Sequence, residues 1–280
     1  MCQRALRLGL ALLTAAAVGS GSARRAWARP VVLFDEAHGQ RFLAERTGPL
    51  DLSRLAGLFT AQGWEVRTSR STISGAAVAD VDAILVSGAF SPLAPDEGGA
   101  VMQFLERGGR LCVMLHIGPP VGELLHHLNV AISNGVIRER ENVIEGDPLN
   151  FRVTRLEPHP LMHEVEAFSI YGGWALLNLA GNATVIARTS PSAWVDLNSN
   201  RALDERDAVQ SFGVAVAGHT GRGRFAVFGD DAMFQNQFLT GGNLQLAQNL
   251  VAWLATEAQH NVSAKWESPR RSRSLANLDH

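Results

Sequence analysis

Residues 30–36 read PVVLFDE, an apolar run that ends abruptly in two carboxylates. A run that is apolar at every position is typical of a strand buried on both faces of a sheet, whereas a half-exposed strand alternates. Three further runs have the same character, at 83–86 (AILV), 111–115 (LCVML) and 225–228 (FAVF). We therefore predict four buried strands.

Between these runs, apolar residues recur at helical spacing. One stripe covers 52–59 and stops before Gly63, and another covers 101–105 and stops at Gly108-Gly109. Strands that alternate with helices predict an α/β fold with a doubly wound, mostly parallel sheet. In such a sheet, ligands meet the carboxyl ends of the strands.

The second half of the chain adds a hairpin and a last helix. We expect 211–217 to pair antiparallel with 224–228 through a turn at 218–223, and an amphipathic helix to cover 244–254. The middle, from 130 to 200, is less regular, although 183–187 (ATVIA) reads as a strand.

The first 28 residues have the pattern of a secretory signal peptide. Arg4 and Arg7 precede an uncharged apolar run over 8–18, which is short for a membrane span. Residues 26–28 (AWA) offer small side chains at the two positions that signal peptidase reads, so we place cleavage after residue 28. Residues 21–23 (GSA) are a second choice, and an uncleaved anchor is the alternative.

Three parts of the chain follow from this pattern. They are a signal peptide over 1–28, an α/β domain over 29–257, and a polar, basic tail over 258–280 that has little to bury and is expected to be disordered. We expect an exported protein in the periplasm or outside the cell, with no membrane span after signal cleavage.

Charge and cysteine content narrow the classes of partner. The chain has 280 residues, 46% of them hydrophobic, and a formal net charge of −2. We expect no nucleic acid as a partner, because polyanion binding needs a basic surface. Cys2 lies in the removed segment, so Cys112 is the single cysteine of the mature chain and has no intramolecular disulfide partner.

Several motifs occur in a recurrent order: 35–40 (DEAHGQ) after a strand, 108–111 (GGRL), 221–230 (GRGRFAVFGD), Asn243, and Trp253-Leu254 at a helix end. This set resembles the class I glutamine amidotransferase-like superfamily. Within it, the set resembles an uncharacterised bacterial branch related to gliding-motility transporter accessory proteins and to an intraflagellar transport domain. The resemblance covers about residues 31–255. It implies a flavodoxin-like sheet and, in most relatives, binding or assembly without demonstrated catalysis.

The chain departs from the amidotransferase enzymes at their nucleophile. Those enzymes place a cysteine in a tight strand-to-helix turn, where the helix N-terminus favours the thiolate. The matching turn here reads HIGPP over 116–120 and holds no Cys, Ser or Thr. Cys112 lies inside the preceding strand, where we expect an inert core residue. Glutamine hydrolysis through a cysteine is therefore not predicted.

Polar residues follow three of the predicted strands and should converge at one edge of the sheet. The candidate ligand-binding residues are Asp35, Glu36, His38, Gln40, His116, Asp230, Asp231 and Asn243. In the alternative interpretation, Asp35 and Asp230 cap the backbone that follows them. The spacing of Asp35 and His38 matches no recognised metal motif, so no metal and no cofactor are assigned.

Two principal functional hypotheses follow. The first is a non-catalytic, exported ligand-binding or assembly domain whose partner is a protein or small molecule of the cell envelope. The second is a hydrolase of cell-envelope material that uses Asp35, His38 and Asp230, with or without a metal. A weaker third idea is that the basic tail docks anionic envelope polymers.

Overall fold

The computed structural model describes residues 29–198 and 200–256. The predicted signal peptide and the predicted tail lie outside these residues. Within the described ranges, no helix combines the length and the apolarity that a membrane crossing needs.

The described residues form four α-helices and fifteen β-strands. The helices are α1 Ser53–Ala61, α2 Pro95–Glu106, α3 Gly122–His127 and α4 Gly241–Ala255. The strands are β1 Val31–Asp35, β2 Glu65–Ser69, β3 Ala83–Ser87, β4 Arg110–Met114, β5 Val130–Arg138, β6 Val143–Ile144, β7 Asp147–Val153, β8 Arg155–Leu156, β9 Phe168–Tyr171, β10 Trp174–Asn178, β11 Ala183–Arg188, β12 Trp194–Val195, β13 Ala208–Val209, β14 Gly213–Thr220 and β15 Gly223–Phe228. The four predicted buried strands are confirmed as β1, β3, β4 and β15.

One large mixed sheet organises the molecule. Its strand order is β13-β12-β5-β10-β14-β15-β4-β3-β1-β2, with β11 paired to β14 and β8 paired to β11. The five strands β15, β4, β3, β1 and β2 pair in parallel. The strands from β14 to β13 pair antiparallel, so the antiparallel part is larger than the predicted hairpin. A second, three-stranded sheet has the order β6-β7-β9.

The strand β14 pairs antiparallel with β15, from Ala215 opposite Phe228 to Thr220 opposite Gly223. The predicted turn over 218–223 is therefore too long, since only Gly221 and Arg222 connect the two strands. Gly221 has a φ of +56°, a conformation that glycine adopts without strain.

Helices cover both faces of the parallel block, because alternate residues of each strand point to opposite faces. Phe34 of β1 shares one buried cluster with Leu55 of α1 and Leu250 of α4. Leu33 of β1 shares the other with Phe104 of α2. Both faces are therefore closed by helices, and the strand ends are where polar side chains can gather.

The middle of the chain is more regular than the sequence indicated, since β5 to β12 all lie between residues 130 and 195. The nine residues of β5 are mostly half-buried, and β6, β8 and β12 have two residues each. Strands this short or this exposed carry no continuous apolar run, which is why pattern reading missed them.

Candidate functional site

The carboxyl ends of β1, β4 and β15 carry most of the polar residues that the sequence singled out. Some of them belong to two separate groups of side chains, and the others lie outside both groups. We call the first the closed cluster: Asp35, His38, Gln40 and Glu97. We call the second the open cluster: His116, Asp231, Arg41, Phe42 and Phe90.

In the closed cluster, an imidazole lies between two carboxylates. The Nδ1 atom of His38 is 2.7 Å from Oδ2 of Asp35, and its Nε2 atom is 3.1 Å from each carboxylate oxygen of Glu97. Gln40 donates from Nε2 to Oδ2 of Asp35 at 2.6 Å. Asp35, His38 and Glu97 are each only 4% exposed. Both ring nitrogens are therefore occupied, out of reach of solvent.

Glu97, which the sequence analysis missed, comes from the first turn of α2. That helix begins with Pro95, and the Glu97 side chain reaches back to accept a hydrogen bond from the backbone N–H of Ala94 at 2.9 Å. The other oxygen of Glu97 accepts from the backbone N–H of Ile73 at 2.7 Å. An Ala-Pro-Asp-Glu start to a helix was a readable signal for such a cap, although not for its pairing with His38.

Charges in the closed cluster reinforce one another. Burial acts to lower the pKa of His38, but hydrogen bonds and charges from Asp35 and Glu97 raise it to about 9. Burial acts to raise the pKa of Glu97, but hydrogen bonds from Ala94, His38 and Ile73 hold it below its usual value. The raised pKa favours an imidazolium between the two carboxylates, and neither ring nitrogen is left free.

The backbone of His38 has a second role. Its carbonyl accepts hydrogen bonds from the backbone N–H groups of Phe90 at 2.8 Å and Ser91 at 2.9 Å. The loop after β1 is thereby tied to the loop after β3, and Phe90 is carried to the open cluster.

In the open cluster, His116 follows β4 and Asp231 follows β15. The Nδ1 atom of His116 is 3.0 Å from Oδ1 of Asp231. The His116 side chain is 36% exposed, whereas that of Asp231 is fully buried. Among the hydrogen bonds of the described residues, none engages Nε2 of His116. This arrangement leaves one imidazole nitrogen facing outward with a carboxylate behind it.

Aromatic rings and a guanidinium surround that imidazole. The rings of Phe42 and Phe90 each lie with their centroids 5.1 Å from the His116 ring. The guanidinium of the exposed residue Arg41 lies 4.6 Å from the centroid of Phe90. The hydrogen bond to the Asp231 carboxylate raises the pKa of His116, while burial and the charge of Arg41 act against that rise.

Only one carboxylate oxygen of Asp231 has a hydrogen-bond partner. Its Oδ2 atom is buried without a hydrogen-bond partner. This oxygen packs against Gly88, whose φ is +59° and where an added Cβ would lie 2.5 Å from it. Burial raises the pKa of Asp231, and its hydrogen bond to His116 opposes that rise. Only glycine leaves room for the carboxylate at this point.

Asp230 is not part of the open cluster, because its carboxylate accepts hydrogen bonds from two backbone N–H groups. Its Oδ2 accepts from the N–H of Tyr171 at 2.8 Å, and its Oδ1 accepts from the N–H of Ala232 at 2.9 Å, at the start of a 3-10 turn over Ala232–Phe234. Burial, followed by the charge of Asp231, raises the pKa of Asp230 to about 8. The capping interpretation of Asp230 matches this geometry.

Two other candidates lie in their own surroundings. Glu36 accepts from the backbone N–H of Ala44 at 3.2 Å and lies 3.6 Å from the Arg70 guanidinium. Asn243, in the first turn of α4, accepts from the N–H of Ser169 at 2.7 Å. It lines a cleft of about 360 Å³ beside the stacked rings of Tyr171 and Phe238. The hydrogen bonds of Asn243 involve neither cluster.

The remaining candidates for chemistry are the thiol of Cys112 and a metal site. Cys112 is fully buried in β4, and burial raises the pKa of its thiol. In the part of the chain that the structure describes, no group of three or more His, Cys, Asp or Glu side chains could hold a metal ion.

Comparison with known proteins gives one family. The family model described as a domain of unknown function (DUF4350) matches residues 44–251. None of the curated proteins matches the chain in sequence.

Several solved structures share the fold at low sequence identity. The mmIFT52 N-terminal domain has a TM-score of 0.65 at 17% identity, over 82% of this chain and 99% of that one. A ThuA-like protein from Bacteroides uniformis has a TM-score of 0.53 at 14% identity, over 86% and 97%. A cytoplasmic protein from Salmonella typhimurium LT2 has a TM-score of 0.52 at 14% identity, over 80% and 99%. At these identities the likenesses show a shared fold.

Proposed function

This chain belongs to the family described as a domain of unknown function, DUF4350, and from that premise we propose that it is a non-catalytic ligand-binding or assembly domain. We assign it to the uncharacterised bacterial branch of the amidotransferase-like superfamily. We also propose that the protein is exported and that it binds a protein or small molecule of the cell envelope.

The observation that carries the proposal is the use of the polar residues at the strand ends. Both ring nitrogens of His38 form hydrogen bonds within the closed cluster, and both carboxylate oxygens of Asp230 accept hydrogen bonds from backbone N–H groups. The turn after β4 offers no nucleophile, and Cys112 is buried. Catalysis by acid, base or nucleophile needs a group that can reach substrate.

The strand order supports a flavodoxin-like assignment within the proposal. The parallel block reads β2-β1-β3-β4-β15, which is the order 2-1-3-4-5 of flavodoxin-like sheets when its strands are numbered along the chain. Such sheets bind ligands at the switch point between their first and third strands. Here that point lies between β1 and β3, whose loops carry Phe42 and Phe90.

A hydrolase remains the second candidate, on a different pair of residues from those that the sequence suggested. His116 with Asp231 has an outward nitrogen and a buried carboxylate behind the ring, which is how a general base is oriented. Asp35, His38 and Asp230 lack such a free position. The candidate would need water as its nucleophile, since the adjoining turn supplies none.

One experiment tests export and the absence of catalysis together. The full chain is expressed in a bacterium with two membranes, recovered by osmotic shock, and sequenced from its N-terminus. We expect Arg29 as the first residue. The recovered protein is then assayed on glutamine, on p-nitrophenyl esters, and on cell-wall amides and glycosides, beside the variants His38→Gln and His116→Gln.

We expect no turnover by any of the three proteins. Enzymes accelerate reactions by about 10⁶-fold or more, so genuine turnover would stand far above background. Turnover that is lost in folded His116→Gln would overturn the non-catalytic assignment in favour of the hydrolase. Retention of residues 1–28 in a cytoplasmic fraction would overturn export alone.

A further inference from the structure

We propose that the open cluster binds a carboxylate attached to an apolar group, which deepens the binding role proposed above and rests on it. The ligand's carboxylate would lie between His116 and Arg41, and its apolar part would lie against Phe42 and Phe90.

The first ground is the sign of the exposed charge. The hydrogen bond to Asp231 raises the pKa of His116, and within the described residues no hydrogen bond engages its Nε2 atom. Asp231 lies buried behind the His116 ring, and the guanidinium of the exposed Arg41 adds a full positive charge beside Phe90. The neighbouring Asp230 engages both of its carboxylate oxygens with the backbone N–H groups of Tyr171 and Ala232. Arg41 therefore gives the accessible side of the cluster a positive charge.

The second ground is the shape of the donors. A guanidinium presents a planar fork that matches the two oxygens of a carboxylate, and an imidazolium adds a third, directional donor. Arg41 is held over the Phe90 ring by a cation–π contact, and Phe90 is itself fixed by the backbone hydrogen bond to His38. The fork is thus partly ordered before a ligand arrives, which reduces the entropic cost of binding.

The third ground is the apolar wall around the donors. Phe42 and Phe90 are only half-buried and flank the imidazole on two sides. Aromatic rings left partly exposed beside a charged donor pair give an apolar ligand group a surface on which to stack. A bare inorganic anion would use the donors and leave these rings unused.

The test uses the full-length protein and benzoate as the probe. Binding is measured by isothermal titration and by the shift of the His116 ring signals in NMR spectra. Benzamide keeps the ring without the charge, and acetate keeps the charge without the ring. Inorganic phosphate is an anion without an apolar part. We expect benzoate to bind more tightly than all three.

The variants Arg41→Ala and His116→Gln should each weaken benzoate binding by about 10- to 100-fold, as expected for loss of a hydrogen bond to a charged group. Arg155→Ala, an exposed arginine on β8, serves as the matched control and should leave the affinity unchanged. Arg41→Lys keeps the charge without the fork and should lie between Arg41→Ala and the unmodified protein.

Failure of benzoate to bind the unmodified protein, or binding that Arg41→Ala does not weaken, would overturn this proposal. The NMR shift of His116 in the unmodified protein decides the matter even if a variant folds poorly. Neither result touches the non-catalytic assignment, which depends on the turnover assays alone.

Discussion

The closed cluster and the open cluster lie at the ends of strands in the same parallel block, and each pairs a histidine with an aspartate, yet their surroundings differ. His38 is 4% exposed and has a carboxylate on each ring nitrogen. The His116 side chain is 36% exposed and has a carboxylate on one nitrogen only. One imidazole is enclosed by partners, while the other keeps a free position.

This difference distinguishes polar residues that stabilise the fold from polar residues that are available for binding. A buried charge is tolerated when every charged atom has a partner, and the closed cluster fulfils that condition. The open cluster instead leaves Oδ2 of Asp231 unpaired and two phenyl rings partly exposed. We expect changes in the first to appear as lost stability and changes in the second to appear as altered binding.

The largest effect should follow His38→Ala. Removing the imidazolium leaves Asp35 and Glu97 as buried, facing carboxylates, and loss of one partner of a buried ion pair costs about 3–5 kcal/mol. The free energy of unfolding, measured by urea titration at neutral pH, should fall by that amount. The control His126→Ala removes an exposed histidine at the end of α3 and should change it by less than about 0.5 kcal/mol.

A second effect should follow pH. The pKa of His38 is raised to about 9 in the folded state from its ordinary 6.5. The proton is therefore bound more tightly by the folded chain, and the added stability is complete below about pH 6.5 and lost as pH rises through about 9. The difference between these pKa values corresponds to about 3 kcal/mol.

Urea titrations at several pH values between about 6 and 10 measure this loss, with His38→Ala as the reference that lacks the titrating ring. Burial also raises the pKa of Asp230, to about 8, which adds a loss of stability in the same direction in both proteins. Equal slopes in the two proteins would show that His38 is not held as an imidazolium.

The smallest effect on stability should follow Asp231→Asn. Neutralising this side chain removes a buried charge with one unpaired oxygen, but it also removes a charge-assisted hydrogen bond to His116. Since these terms oppose each other, we expect a change of less than about 1 kcal/mol. The pKa of His116, followed by NMR titration, should fall, because the bond to Asp231 is the main cause of its rise.

The neighbouring residue gives the matched comparison. Asp230→Asn replaces an oxygen that accepts a backbone hydrogen bond with an amine that cannot, so it should cost more stability than Asp231→Asn. A large loss of stability in Asp231→Asn would indicate that the open cluster, like the closed cluster, serves to stabilise the fold.

Four of the five parallel strands were readable from the sequence, whereas only β11 and β14 were readable in the antiparallel part. β1, β3, β4 and β15 are buried on both faces, and continuous apolar runs report such burial directly. The residues of β5 are mostly half-buried and show no run and no clean alternation. Its place in the sheet depends on β10 and β12, which are distant in sequence.

The candidate site was also readable in part. The contact between Asp35 and His38 is local, and the place of His116 and Asp231 at strand ends follows from the sheet. Glu97 lies 59 residues from His38, and its approach depends on how the first turn of α2 docks, which no local pattern encodes. Pattern reading could not separate one cluster from the other, and a binding role for these residues remains a prediction.

His38 is the residue that connects the two clusters. Its ring belongs to the closed cluster, and its carbonyl accepts hydrogen bonds from the N–H groups of Phe90 and Ser91 beside the open cluster. For protein engineering, this means that a change at His38 would affect both the stability of the fold and the position of Phe90 in the open cluster. To reshape the proposed carboxylate site without loss of stability, Phe42 would be varied and His38 left unchanged. In a mutational screen, a substitution of His38 would therefore be expected to lower stability first, and to disturb the position of Phe90 only as a consequence.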